Sequence, residues 1–178
     1  IRDAREAAQE NNISLQERVV HAKHTEINTM EKSHRTIVVS SAEKEIVQNE
    51  YPHIPIEVIH LILDMSQYTR RKKTPKNHDV LFIGGFSHSP NIDAVIWFCD
   101  EIFPLITKTI PSARFHIVGS NMPQKIKDLA SSNVIVHGYV ADPDKLIQDS
   151  RITVAPLRFG AGQKGKIVQS LALGVPCV

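Results

Sequence analysis

The 178-residue sequence is poor in cysteine, with only Cys99 and Cys177. There is no CxxC pair and no framework spacing, so the pair reads as buried thiols of a reduced, cytoplasmic protein. Long apolar runs are missing too. No stretch approaches the ~18–20 residues that a spanning helix needs. A secretory leader is not legible, because Arg2, Asp3, Arg5 and Glu6 stand where its apolar region would be. Net charge is scarce, at +2, which gives no footprint for nucleic acid. What remains is ordinary: 42% hydrophobic and 22% charged residues match a soluble globular chain. The length suggests one domain or one and a half. The chain opens on Ile1 inside a charged helical pattern and stops at Cys177-Val178, just inside a strand pattern. The expectation is a fragment of a longer protein.

Residues 1–34 read as helix. Ser14-Leu15-Gln16-Glu17 is a capping box. Leu15, Val19, Ala22, Ile27 and Met30 follow at helical spacing. His21, His24 and His34 read as exposed polarity, since no carboxylate or cysteine completes a metal set. Thr36–Ser40 is a β-branched strand. Ser40-Ser41-Ala42-Glu43 opens a second helix to about Glu50, ended by Pro52 and Pro55, and Ile56–Ile59 is the next strand. This order predicts parallel pairing. Residues 66–78 (SQYTRRKKTPKNH) are polar and basic. They read as a linker and boundary, with an acidic-lipid or nucleic-acid patch as the alternative.

From Asp79 onward the pattern sharpens. Asp79–Ile83 is continuously apolar after its first residue, as in a strand buried on both faces. Gly84-Gly85 follow it. Ser89 and Pro90 are expected as cap and first residue of a helix that stops near Pro104. Strands are expected at Arg114–Val118 before Gly119, at Val134–His137 before Gly138, and at Ile152–Ala155. Short helices start at Pro123 and at Asp142-Pro143. Four strand–helix alternations predict an α/β fold with a doubly wound, Rossmann-like parallel sheet. Its ligands bind beyond the carboxyl ends of the strands.

The last such end carries GAGQKGK, residues 160–166, which satisfies both G-x-G-x-x-G and G-x-x-x-x-G-K. In either reading, backbone amides at a helix N-terminus hold an anion, and Lys164 and Lys166 add charge. A P-loop needs a hydroxyl after its lysine, where this chain has Ile167. A dinucleotide fingerprint belongs in the first βαβ unit, whereas this turn follows a fourth strand. The bland alternative is glycines that serve tight packing alone, and two lysines and an arginine around three glycines weigh against it.

The blocks IGGFSHSPNIDAVIWF, FHIVGSN, VHGYV and APLRFGAGQKGKIVQSLALGVPCV resemble, in order and spacing, the donor-binding domain of glycosyltransferase family four ("glycosyl transferases group 1"). TIVVSSAEKEIV is similar to the end of that family's N-terminal domain. The resemblance implies a GT-B fold. Residues 1–65 would close the acceptor-side domain, 66–78 would link, and 79–178 would form the nucleotide-sugar-binding domain, truncated at its end. It implies sugar transfer from a UDP- or GDP-sugar with retention of configuration, as a hexosyltransferase of carbohydrate biosynthesis. No tightly bound cofactor and no catalytic metal are implied. The acceptor would be a glycan or a small molecule, with peripheral membrane association of the full-length protein.

By position, Gly84 and Gly85 would line the diphosphate cleft. Gly160, Gly162, Lys164 and Lys166 would hold diphosphate or sugar, with Arg158 as a further cation. Gly138 and Tyr139 fall where the family contacts the base, and Gln169 where it contacts the ribose. No catalytic residue is assigned. The family's Glu–seven residues–Glu pattern falls on Ala161 and Gln169, its usual arginine and lysine after the first strand on Gly85 and Pro90, and its Pro-Asn-Gly hinge on His60-Leu61-Ile62. Two further readings stand beside the transferase: a non-catalytic nucleotide-binding module of the same fold, and, resting on G-x-G-x-x-G alone, a dehydrogenase. The fragment by itself is expected to be inactive.

Overall fold

The structure, a computed structural model, describes residues 13–160 and 164–178. The helix expected over residues 1–12, and the turn residues Ala161, Gly162 and Gln163, lie outside the described residues. The chain divides into two compact units, the second made of Leu63–Arg158 and Lys164–Val178 and the first of the remainder.

In the first unit, helix α1 (Ile13–Glu31) precedes strand β1 (Thr36–Val38), helix α2 (Ser41–Glu50) and strand β2 (Ile56–Val58). The strands pair in parallel, with Thr36 opposite Ile56. Ser14 lies within α1 and not ahead of it. The second expected cap forms at Ser40, whose hydroxyl accepts from the Glu43 amide at 3.2 Å. The Glu43 carboxylate reaches back one residue further than in a standard box and accepts from the Val39 amide at 3.2 Å. Val47, Ile54 and Ile56 make a small core, with Ile27, Met30, Val38 and Tyr51 against it.

The second unit contains strands β3 (Asp79–Ile83), β4 (Arg114–Val118), β5 (Val134–Gly138) and β6 (Ile152–Thr153). They form one sheet in the order β5-β4-β3-β6, and every pairing is parallel. Thr153 also bridges Cys177 in parallel. The Val154 and Ala155 amides continue the ladder, donating to Leu81 O and Val178 O at 2.9 and 2.7 Å. The sheet is thus doubly wound, as the alternation of strands and helices predicts. The chain steps outward from β3 to β4 and β5, then returns to β3's other side.

Both sheet faces are buried, which explains the unbroken apolar run of β3. Val80 and Phe82 point into a core with Phe98, Phe103, Phe115 and Ile117. Leu81 points into the opposite core with Val118, Ile147, Leu173 and Val175. Phe82 and Phe115 are completely buried, and such burial contributes roughly 1.5–3 kcal/mol per side chain.

Helix α3 (Ser89–Trp97) continues through a π turn (Phe98–Ile102) into α4 (Phe103–Thr109). Sequence placed a stop near Pro104, yet the helix runs past it. The Phe103 amide bonds to Phe98 O, five residues back, and this wider turn lets Pro104 stand in the first turn of α4, where a missing N–H costs nothing. The short helices α5 (Gln124–Lys127) and α6 (Asp144–Asp149) follow β4 and β5, and α7 (Gly165–Ala172) follows β6.

The basic stretch 66–78 lies along the second unit. The Arg71 amide donates to Leu173 O at 2.9 Å, and its guanidinium donates to Ser150 O at 2.7 Å. Gln148 donates to Thr69 O at 2.6 Å, and Arg151 to Pro75 O at 3.0 Å.

Candidate active site

Strand order reverses between β3 and β6, so the crevice beyond their carboxyl ends is the switch point of the sheet. Among the described residues, Gly84-Gly85 after β3, Gly119 after β4, Gly138 closing β5 and the start of α7 at Gly165 lie at this edge.

The first two come very close together. The Gly84 amide donates to Val118 O at 3.0 Å. A Cβ on Gly119 would stand 1.8 Å from Gly84 O, a distance no side chain survives, so position 119 is closed to every residue but glycine. A Cβ on Gly84 would stand 2.8 Å from Asn91 Cγ. Helix α3 begins at Ser89 with His88 as the preceding cap residue, so Ser89 and Pro90 sit one position further into the helix than the sequence suggests. The Asn91 side chain therefore faces back onto the turn, and its Nδ2 donates to Gly85 O at 2.7 Å.

Lys166 lies in the first turn of α7. Its ammonium donates to Asn91 Oδ1 at 2.7 Å and stands 4.0 Å from the centroid of the Phe82 ring. An amide and an aromatic face are both neutral partners. Among the described residues Lys166 makes no ion pair. Burial, and then the neighbouring Lys164, bring its pKa down to about 8, while Cys177 acts the other way. The site therefore contains a mostly enclosed cation, still largely charged at neutral pH and with no counter-ion among the described residues.

Arg158 differs. Its Nε donates to Asp93 Oδ2 at 2.9 Å, and Nη2 pairs with Oδ1 of the same carboxylate. Its guanidinium lies 5.4 Å from the Trp97 ring centroid. Asp93 and Trp97 are four residues apart on α3, so one helical face grips the arginine by charge and by ring. The charge of Arg158 is already matched, and the carboxylate holds its pKa above the ordinary value.

Gln169 follows Lys166 by three residues on α7 and shares its side of the helix. Its Nε2 donates to Asp144 Oδ1 at 2.9 Å, which leaves its carbonyl oxygen to accept. Gly160 adopts φ 111°, a conformation that side chains rarely take. Lys164 is the residue preceding α7.

Gly138 and Tyr139 stand further along the edge, beside a cavity of about 660 Å³ at the ends of β4 and β5. Ser120, Asn121, Lys127 and His137 also line it. Gly138 has φ 78°, and its carbonyl accepts from the Gly119 amide at 2.8 Å. The Tyr139 side chain is 73% exposed at the rim. Behind the cavity the His137 and His116 rings stack, with Nε2 of the former 2.8 Å from Nδ1 of the latter. His116 Nε2 lies 3.5 Å from the Asp79 carboxylate, which is bound bidentately by Arg114.

The structure thus brings Gly84, Gly85 and Lys166 together, sets Gln169 one turn on, and puts Gly138 and Tyr139 at an adjoining cavity. Sequence reasoning missed Asn91, which ties the first group together, and the Asp93 partner of Arg158. The only signal for Asn91 was its place two residues into the helix after Gly84-Gly85. Among the described residues, no three His, Cys, Asp or Glu side chains gather as a metal site.

Comparison with known proteins agrees with this architecture. A TarM crystal structure superposes with a TM-score of 0.75 at 20% identity, covering 88% of this chain and 31% of TarM. An S. aureus TarM point mutant in complex with Fondaparinux, alpha-GlcNAc-glycerol and UDP gives the same score and identity, with 88% and 32% covered. The pneumococcal O-GlcNAc transferase GtfA, in complex with UDP and GlcNAc, follows at 0.61 and 16% identity, covering 83% of this chain and 30% of GtfA. These likenesses establish the fold, that of GT-B glycosyltransferases, and the chain spans about a third of each neighbour's length. No curated protein sequence matches the chain significantly. The family described as Glycosyl transferases group 1 matches residues 77–178, more than half of the chain and all four strands β3 to β6. On that match, the chain belongs to the glycosyl transferases group 1 family.

Proposed function

We propose that the carboxyl edge of the second unit binds the nucleoside diphosphate of a UDP- or GDP-sugar, and that the protein transfers the sugar to an acceptor with retention at the anomeric carbon. The observation that carries this reading is Lys166: an enclosed ammonium beside two glycines at the switch point, bonded to a neutral oxygen. In the transfer the anomeric carbon–oxygen bond to the diphosphate breaks, a bond to an acceptor hydroxyl oxygen forms, and the hydroxyl proton goes to the departing diphosphate. The departing oxygen gains negative charge, and a pre-placed cation stabilises it. Lys164 and the α7 amides add to the same field. The cavity beside Gly138 and Tyr139 has room for a base and ribose. Gln169 hydrogen-bonds the ribose through its free oxygen.

The neighbours' complexes with UDP make a uridine donor the first to test, and those with glycans or GlcNAc favour a glycan acceptor over a small molecule. Hexosyl transfer, a cytoplasmic site of action and peripheral membrane association of the full-length protein belong to the same proposal. A second reading, a nucleotide-binding module without transferase activity, is favoured by one observation. Where the family has its second glutamate stands Gln169, with its amide committed to Asp144.

Isothermal titration with UDP, GDP and NADH tests the site. Nucleoside diphosphate binding in the millimolar range or tighter is expected. It should weaken about a hundredfold in Lys166→Ala, as when one partner of an enclosed charged contact is removed. Lys164→Ala is expected to act in the same direction. Absence of binding by all three compounds would overturn the assignment. Donor turnover by the full-length protein separates transferase from binding module.

A further inference from the structure

Asn91 is buried at 8% exposure, and both ends of its amide are used. Nδ2 donates to Gly85 O at 2.7 Å and Oδ1 accepts from Lys166 Nζ at 2.7 Å. The orientation of the amide is fixed by its partners. Turned over, it would set donor against ammonium and oxygen against carbonyl. Gly84 packs so closely on the amide that a Cβ there would collide with it. The end of β3, the first turn of α3 and the first turn of α7 therefore meet in one carboxamide.

The choice of residue matters chemically. An aspartate would fill the same space, but it would pair with Lys166 as Asp93 pairs with Arg158. An aliphatic residue would leave an enclosed ammonium without an acceptor, which is strongly unfavourable. Asparagine alone among these gives an oxygen to the lysine and a donor to the turn without cancelling any charge. We infer that Asn91 is a positioning residue for the donor diphosphate: it fixes the Lys166 ammonium against the Gly84-Gly85 turn and leaves its charge for the incoming phosphates. This rests on the reading of the edge as a nucleoside-diphosphate site. The other groups that act on the ammonium are Lys164, which disfavours its charge, and Cys177, which favours it.

The test uses the 178-residue chain, with UDP titrated calorimetrically and the Lys166 ε-group followed by NMR as pH is varied. Asn91→Asp should move the lysine titration up by at least about one pH unit, because a carboxylate favours the charged form. At the same time it should weaken UDP binding about tenfold at pH 7. Asn91→Ala should weaken binding with no such upward move. A residue that merely shaped the turn would lower stability in both variants and leave the Lys166 titration in place. Thermal melts of both variants show that they remain folded. An unmoved titration in Asn91→Asp, or UDP binding equal to wild type in both variants, overturns the role. A wild-type chain that binds no nucleoside diphosphate instead removes the nucleotide reading itself, and this role with it.

Discussion

Between β3 and β6 the carboxyl edge is filled: Gly84, Gly85, Asn91, Phe82 and Lys166 pack around one enclosed ammonium. Between β4 and β5 the edge is open, with a cavity of about 660 Å³ and a tyrosine standing 73% exposed at its rim. The first half is small, rigid and positive. The second is roomy and mostly neutral, with Lys127 as its cation. A nucleoside diphosphate has the same division, a compact anion at one end and a flat, polar, uncharged base at the other. The two halves meet where Gly119 passes Gly84, and that contact sets the distance between them.

The comparison can be broken most severely at its seam. Gly119→Ala puts a methyl group into the Gly84 carbonyl. It should destabilise the second unit by several kcal/mol, in the range where overpacking and backbone strain combine. Loss of the thermal transition or a large fall in Tm would record it.

Next in size is a pH effect confined to the filled half. Lys166 has a pKa of about 8, against an ordinary 10.5. Its charge is present below that pH, so UDP affinity should fall about tenfold per unit once pH exceeds it, by calorimetry from pH 7 to 9.5. Stability without ligand should change in the opposite sense. The folded pKa lies below the unfolded one, so between the two the unfolded chain binds more protons and stability rises with pH. Opposite slopes for binding and stability would isolate Lys166 from every group that acts on both alike.

The open half should respond more modestly. Tyr139→Ala removes an exposed ring beside the cavity and should cost about 1 kcal/mol of UDP affinity, at the low end of base–aromatic stacking. Arg158→Ala should matter least for binding, because Asp93 already matches that charge. We expect less than a threefold change in UDP affinity, and little change in Tm, because solvent screens a half-exposed pair. A loss as large as that of Lys166→Ala would mean that Arg158 leaves Asp93 to meet the ligand.

Much of this was readable before any coordinates. The strands β3, β4 and β5 announce themselves because a sheet covered on both faces demands consecutive apolar residues, and Val80–Ile83 supply them. The glycines at the strand ends are equally legible, because close approach of backbones admits little else. The partners were not. Arg158 and Asp93 are 65 residues apart, and Lys166 and Asn91 are 75 apart, so no local rule connects either pair. Asn91 was hidden further by its neighbours, since Ser89 and Pro90 already read as a complete helix start. Pro104 misled for a related reason. Its usual effect is to end a helix, and the means of avoiding it, one wider turn, leaves no compositional mark.

That wider turn has a consequence for the length of the chain. In a regular α-helix, residues five apart point about 140° away from each other. Phe98 and Phe103 are five apart, yet their rings stack at 6.2 Å and both touch Phe115, at 4.6 and 5.7 Å. The extra residue in the turn is what brings them to one side. Asp100 and Glu101 face solvent there, and their side chains could be exchanged freely, but neither residue could be deleted. Removing one would restore the ordinary winding, swing the two phenylalanines apart, and return a carbonyl to the space now taken by the ring of Pro104. The outer surface of this helix is open to substitution while its residue count is fixed from within.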